Sequence, residues 1–253
     1  MFSLLRERYF MSRIIFLYVF LSTISAGDGL DCIGSGKPES ILSNVPVQDT
    51  IKKRQILYNG IVWKNIYHGF NGDQFFLSDW FLSGEVSING QTFNNLIIKY
   101  DIYSDEIMIP LNRDEIVQLN KEMVDSFTIR FEDKLFKFIN IRNEASKGFT
   151  GYVNVLYKGK SALFVKYKKE ISHYITEKKF GEFYEKHQIY FMKDSIIYLI
   201  KTRNDLFKIL DTDNVQIKKF VSHNKLRVSK KIPESFIPVI RYYDSLGYWT
   251  GKL

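Results

Sequence analysis

Between Gln55 and about Thr176, short runs rich in β-branched and aromatic residues alternate with turn residues. Such runs are typical of β-strands, because branched and aromatic side chains pack well on a pleated surface. Strands separated by turns at this spacing indicate an antiparallel meander and not βαβ units. We therefore predict an α+β fold that is mainly β, with a curved open sheet or an incomplete barrel, since curling protects strand edges.

The strongest local signal is Asn89-Gly90, which lies between two of these runs. Both residues tolerate the positive φ of a type I′ turn, so this dipeptide predicts a two-residue β-hairpin. A second hairpin is expected around residues 158–160. Apolar and polar residues alternate along residues 126–131, which predicts a strand with one buried and one solvated face.

The last sixty residues change to a helical period. We predict three short helices over about 194–247, with Asn204, Asp213 and Ser235 as their N-caps. Pro238 is compatible with the third helix only in its first turn, where the missing N–H has no intrahelical partner. These helices are expected to pack on the sheet or to close one mouth of it.

The N-terminus has the organisation of an export signal. Three arginines lie within the first 13 residues, an apolar run of 11 residues follows at 14–24, and small residues come next. A membrane-spanning helix needs about 20 apolar residues, so an uncleaved anchor is the weaker alternative. We predict a signal peptide over residues 1–27, with Met1 and Met11 both open as starts.

Residues 28–54 are predicted to form a flexible linker, because glycine, proline and serine interrupt every apolar period. A single domain should then cover residues 55–253. Cys32 is the only cysteine, which excludes an intramolecular disulfide and a multi-cysteine zinc site. Lipidation of Cys32 is disfavoured because Asp31 is large and charged, and Leu30 is one place away from the lipobox position. A lone linker thiol is the alternative.

The positive charge lies in the second part of the chain. Residues 1–150 hold 16 basic and 18 acidic residues, whereas residues 151–253 hold 20 and 10. An excess of this kind favours an anionic envelope component, either a lipid head group or a glycan, or else a partner protein. The alternative is a solvated surface in a lysine-rich chain of the kind that an A+T-rich genome encodes. No nucleic-acid-binding motif is present, so we predict no nucleic acid partner.

Four aromatic residues crowd one short segment and are candidates for a ligand-binding site. They could line a pocket for an apolar ligand or stack on a sugar, although such clusters often belong to the core. The four residues are Phe75, Phe76, Trp80 and Phe81.

Two further groups are candidates for a reactive site and a metal-binding site. His68 near Asp73 could act as a general base with an orienting carboxylate, although a loop histidine beside a glycine turn is the simpler interpretation. A cluster of acidic residues could bind Ca²⁺ weakly, but its members are also ordinary turn residues without EF-hand spacing. We therefore predict no catalytic residue, no metal and no cofactor. The acidic cluster consists of Asp101, Asp105, Glu106, Asp114 and Glu115.

Several segments resemble an uncharacterised family of exported β-rich proteins from Bacteroidota-type cell envelopes. They are YNGIVW (58–63), GDQFFLS (72–78), LIIKYDIYSDE (96–106), GFTGY (148–152) and IPVIRYY (237–243). The resemblance implies a periplasmic or outer-membrane-associated location and supplies no catalytic residues. The leading hypothesis is a non-enzymatic envelope protein that binds or scaffolds, with no membrane span after signal cleavage. The alternatives are a carrier of an apolar or lipid ligand in a half-barrel cavity, and a hydrolase that uses His68 and Asp73.

Overall fold

The structure is a computed structural model that describes residues 55–142, 148–172, 181–210 and 214–246. The predicted export signal, the predicted linker and Cys32 lie outside these residues. Eleven strands make up about half of the described residues. They are β1 (Gly60–Val62), β2 (Leu82–Ile88), β3 (Gln91–Asp101), β4 (Glu106–Pro110), β5 (Ile116–Leu119), β6 (Val124–Phe131), β7 (Lys134–Ile141), β8 (Gly151–Lys158), β9 (Ala162–Ser172), β10 (Glu182–Lys193) and β11 (Ile196–Ile200).

The strands form one antiparallel sheet in the order β1-β5-β4-β3-β2-β6-β7-β8-β9-β10-β11, which is not closed into a barrel. From β6 onward each strand pairs with the next one in the chain, as in the predicted meander. The first part of β3 pairs with β2, and its last three residues, 99–101, pair with β4. The sheet curves, so that the end of β3 comes close to β9 although four strands lie between them in the sheet. The backbone N–H of Lys169 in β9 donates to the carbonyl of Ile102, the residue after β3, at 3.1 Å. The predicted fold class is confirmed.

Both predicted hairpins are present. Asn89 and Gly90 have φ values of +49° and +79° and join β2 to β3, as a type I′ turn requires. β8 and β9 pair from Lys158 opposite Ala162, so the second turn lies where the sequence places it. Local turn chemistry therefore determines these connections.

The hairpin of β10 and β11 was not predicted, and β11 lies inside the region predicted to be helical. Its turn residues Asp194 and Ser195 both have positive φ, at +51° and +63°. The strand β11 is a continuous apolar run, Ile-Ile-Tyr-Leu-Ile. Such a short run has no alternation that would distinguish a strand from a buried helical segment.

Four helical segments follow the sheet. In the first, the N-cap is Thr202 and not Asn204, which lies inside the helix. The Thr202 hydroxyl accepts from the Asp205 backbone N–H, and the Asp205 carboxylate accepts from the Thr202 N–H, which is a capping box. The segments are α1 (Arg203–Ile209), α2 (Asn214–His223), a 3-10 helix (Pro233–Phe236) and α3 (Ile237–Ser245).

The last helix begins later than predicted. Ser235 lies inside the 3-10 helix, and its hydroxyl donates to the Ile232 and Ser229 carbonyls, so it does not cap α3. Pro238 occupies the first turn of α3, as predicted. The proposed cap Asp213 lies outside the described residues.

Two larger hydrophobic clusters organise the domain. The first fills the concave part of the sheet with aromatic rings, among which Phe127 and Phe138 stack at 4.6 Å and Tyr100 lies 5.1 Å from each. The second lies between the helices and strands β9 and β10, and it confirms the predicted packing of helices on the sheet. Its fully buried members include Leu163, Val165, Ile189, Phe191, Leu206, Leu210, Ile217, Val239 and Ile240.

Candidate functional site

The four predicted aromatic residues do not share one environment. Phe76 is buried in the aromatic cluster of the sheet, where its ring lies 4.7 Å from that of Tyr167. Phe75 is also buried, Phe81 is half-buried, and Trp80 is 76% exposed. The structure thus brings Phe75 and Phe81 together but directs Phe76 to the core and Trp80 to solvent.

Lys99 lies between Phe75 and Phe81, and sequence reasoning missed it. Its Nζ is 4.4 Å from the Phe75 ring centroid and 4.8 Å from that of Phe81, both within cation–π range. Burial lowers the pKa of Lys99, and the nearby charges of Asp79 and Asp73 oppose this shift. Only the register of β3 against the preceding loop creates this contact, so no local pattern signals it.

His68 and Asp73 are not paired among the described residues. His68 is exposed. Asp73 Oδ1 instead accepts from Lys169 Nζ at 2.9 Å and from the Phe75 backbone N–H at 2.7 Å. The carboxylate is therefore engaged in holding the loop against β9, and the hydrolase hypothesis gains no support from this geometry.

The acidic cluster is divided between two turns, and within the part of the chain that the structure describes no group of three potential ligands could hold a metal ion. Asp101 Oδ1 accepts from the backbone N–H groups of Tyr103 and Ser104, at 2.8 and 2.9 Å. Asn112, which precedes Asp114 and Glu115, caps the other turn in the same way, by accepting from both of their N–H groups. Each pattern is an ordinary Asx turn.

Asp105 is the centre of a partly buried charge network. Its Oδ1 accepts from the Tyr100 hydroxyl at 2.7 Å. Its Oδ2 accepts from Lys121 Nζ at 2.8 Å, from Lys166 Nζ at 3.4 Å and from the Tyr152 N–H at 3.3 Å. Four donors occupy about as many acceptor positions as one carboxylate offers, so this group serves the fold and has no free position for a ligand.

Lys166 is the buried cation of this network, and only 5% of it is exposed. Its Nζ donates to the Thr150 carbonyl as well as to Asp105. Burial lowers the pKa of Lys166, while the charge of Asp105 opposes the shift. Gly151 leaves room for the Asp105 carboxylate beside Lys166, because a Cβ at this position would overlap Asp105 Oδ2. Its φ of +74° is also a conformation that glycine adopts without strain.

A cleft of about 490 Å³ opens beside this network. Asn140 Nδ2 donates to the Lys121 and Val124 carbonyls, and Arg142 Nη2 donates to Val124 O and Asp125 Oδ1. These bonds hold the turn between β5 and β6 against β7. We interpret the cleft as the edge of a structural network.

The network predicts that stability depends on pH near neutrality. Burial raises the pKa of Glu106 from its usual 4.5 to about 7, although the charge of Lys121 opposes the shift and Asp105 and Asp101 add to it. The folded protein then holds this proton more tightly than the unfolded chain, so the stabilisation is complete below about pH 4.5 and is lost as the pH rises through about 7. We expect the free energy of unfolding in urea to fall across this window.

Replacing Glu106 by Gln should remove this part of the pH dependence. Glu122, an exposed carboxylate that lines the same cleft, offers the control E122Q, which should keep the wild-type slope. An E106Q variant whose unfolding free energy still falls with the wild-type slope between about pH 5 and pH 8 would contradict the prediction.

A cationic surface covers the helical part of the domain. In residues 201–210 and 214–246 all ten basic side chains are exposed, and none forms an ion pair with another described residue. Two of the three acidic residues there have other partners: Asp205 caps α1, and Asp244 accepts from Tyr157 and Ser161. The ten residues, which we call the cationic surface, are Lys201, Arg203, Lys208, Lys218, Lys219, Lys225, Arg227, Lys230, Lys231 and Arg241.

Comparisons with protein-family models, curated proteins and solved structures find no match for this chain. The resemblance to exported envelope proteins therefore stays a prediction. Within the described residues, no helix is both long enough and apolar enough to cross a membrane.

Proposed function

We propose that this protein is a non-enzymatic binding protein of the cell envelope, and that its cationic surface holds an anionic envelope component. The observation that carries the proposal is the set of ten exposed cations without ion pairs among the described residues. Unpaired cations of this density attract polyanions and accelerate encounter with them. The envelope location rests on the export signal that the sequence predicts at residues 1–27.

The interior of the sheet favours surface binding over ligand carriage. The Phe138 ring lies 4.6 Å from that of Phe127 and 5.3 Å from that of Phe76. Phe127 in turn lies 5.1 Å from Tyr100, and Phe76 lies 5.2 Å from Phe136. These are the separations of packed aromatic pairs, so the rings fill the space that a half-barrel carrier would need for its ligand. The hypothesis of an apolar-ligand carrier stays open but gains no support here.

The proposal predicts binding that is sensitive to salt and to charge reversal. The purified chain should bind vesicles that contain phosphatidylglycerol, or an immobilised acidic polysaccharide, in low salt. Binding should be largely lost near 1 M salt, where the Debye length falls to about 3 Å. The variant K218E/K219E/K230E/K231E should bind at least about tenfold more weakly, because each cation near a charged surface contributes about 1 kcal/mol.

The matched control reverses four exposed charges elsewhere in the domain. The variant K64E/R130E/K134E/K137E has the same net charge as the test variant, but its changes precede β8. It should retain most of the binding. Equal retention of the wild-type protein and the K218E/K219E/K230E/K231E variant on every anionic probe would overturn the proposal.

A further inference from the structure

A groove between α2 and α3 combines aromatic, cationic and amide side chains. It is an open surface groove of about 670 Å³. In its lining the rings of Phe220 and Tyr242 stack at 4.0 Å with 3° between their planes. The groove is lined by Gln216, Lys219, Phe220, Ser222, His223, Asn224 and Tyr242.

The polar groups of this groove have few partners inside the protein. Lys219, His223 and Gln216 are exposed and make no side-chain hydrogen bond to another described residue. Asn224 Nδ2 donates to the Phe220 carbonyl at 2.8 Å, which fixes the amide and leaves its Oδ1 as a free acceptor. The groove thus offers an ammonium group, an imidazole, amide groups and aromatic rings in one place.

This combination matches a carboxylated sugar better than it matches a lipid. The C–H face of a pyranose can lie on an aromatic ring, its hydroxyl groups can bond to amides, and its carboxylate can pair with a cation. An acyl chain offers no hydrogen-bond partner to the amide and imidazole groups, whereas a sugar offers several. The charge of the surroundings also agrees, because residues 214–246 contain seven basic and two acidic residues.

We infer that the groove between α2 and α3 is a binding site for an acidic saccharide, with Lys219 and His223 contacting the carboxylate and with Phe220 and Tyr242 supporting the sugar ring. This inference rests on the proposed function, since it names the anionic component and the place where it binds. The groove would recognise one class of anion through specific contacts, whereas the rest of the cationic surface attracts anions only by charge.

The test uses tetragalacturonate and its neutral methyl ester as probes in titration calorimetry with the full chain. The wild-type protein should bind the acid in a saturable way and should bind the ester much more weakly. The variant K219Q/H223Q keeps both stacked rings and should lose about tenfold or more in affinity for the acid, as expected for lost charge-assisted hydrogen bonds.

The control variant K230Q/K231Q removes two formal charges outside the groove lining, and it should change this affinity much less. Equal losses in K219Q/H223Q and K230Q/K231Q would overturn the groove site while leaving the proposed function intact. Saturable binding to phosphatidylglycerol vesicles without binding to tetragalacturonate would also overturn it. Failure of every anionic probe to bind the wild-type chain would instead overturn the proposed function.

Tyr242 gives a second readout that does not depend on charge. Because its ring packs α2 against α3, Tyr242→Phe should preserve the stack and change the affinity for tetragalacturonate only slightly. Tyr242→Leu removes the ring surface and should weaken binding several-fold at an unchanged salt dependence. A folded Tyr242→Leu protein, as judged by its unfolding midpoint, that binds like the wild type would contradict the role of the rings.

Discussion

Replacing Gly151 by alanine is expected to lower the free energy of unfolding by about 2–4 kcal/mol. Gly151 has φ +74°, a conformation that an L-residue adopts only with strain. In addition, the new Cβ would overlap Asp105 Oδ2 and would lie 3.0 Å from Lys166 Nζ. The change therefore strains the backbone and pushes apart a buried ion pair. Urea denaturation followed by circular dichroism measures the effect.

Gly90 provides the matched control, because it has φ +79° but no atom lies within 4 Å of its ideal Cβ position. Gly90→Ala should therefore show only the backbone contribution, about 1 kcal/mol. The difference between the two variants isolates the overlap with Asp105. Equal losses of stability in Gly90→Ala and Gly151→Ala would mean that the chain absorbs the overlap without cost, against this prediction.

Replacing Asp105 by asparagine should destabilise the protein by about 3–5 kcal/mol, because it leaves the buried ammonium of Lys166 without its counter-charge. Only 7% of the Lys166 side chain and 19% of the Asp105 side chain are exposed, so Lys166 is nearly inaccessible to water. The loss should appear as a lower denaturation midpoint. The double variant D105N/K166M should recover part of it, since the uncompensated charge is then removed.

The exposed ion pair of Arg142 and Asp125 is the control for this prediction. Its N···O distance is 2.9 Å, but 47% and 34% of the two side chains are exposed. Asp125→Asn should cost at most about 1 kcal/mol, as is usual for exposed pairs. If Asp105→Asn were as mild as Asp125→Asn, the network around Asp105 would contribute little to stability, contrary to the present interpretation.

The sequence predicted those parts of the fold that short-range chemistry controls. Asn89-Gly90 predicted the β2–β3 turn because positive φ at both positions is a property of the two residues themselves. The alternation in residues 126–131 likewise predicted a strand with one buried face, and Phe127 and Ile129 are buried. The hairpin at Asp194-Ser195 was missed because this dipeptide lacks the glycine of a strong hairpin signal and β11 has no alternation.

The helix boundaries show the same limit. Thr202 and Asn204 are both residues that favour an N-cap position, so the type of the cap residue alone does not choose between them, although the T-x-x-D spacing from Thr202 to Asp205 is a local signal. The choice is made by Asp205, which completes a capping box only with Thr202. Ser235 is drawn into hydrogen bonds with Ser229 and Ile232, so the following helix starts without a side-chain cap.

The candidate sites depended more strongly on tertiary structure. The sequence predicted an excess of positive charge in the second part of the chain, and Lys218, Lys219, Lys230 and Lys231 there are exposed. It did not indicate the groove, because Phe220 and Tyr242 are 22 positions apart and meet only when α2 packs on α3. The sequence also did not indicate the ion pair of Lys166 and Asp105, because these residues are 61 positions apart.

Short-range patterns in the sequence were enough to predict the mainly β architecture, the Asn89-Gly90 turn and the excess of positive charge in the second part of the chain. These properties follow from backbone preferences, periodicity and composition, all of which are local or additive. In contrast, the packing of the chain sets which aromatic rings lie in the core, which carboxylates bond to internal lysines and which cations have no ion-pair partner among the described residues. Those outcomes depend on contacts between distant segments, and burial changes the energy of a charge or a polar group only after the segments have met.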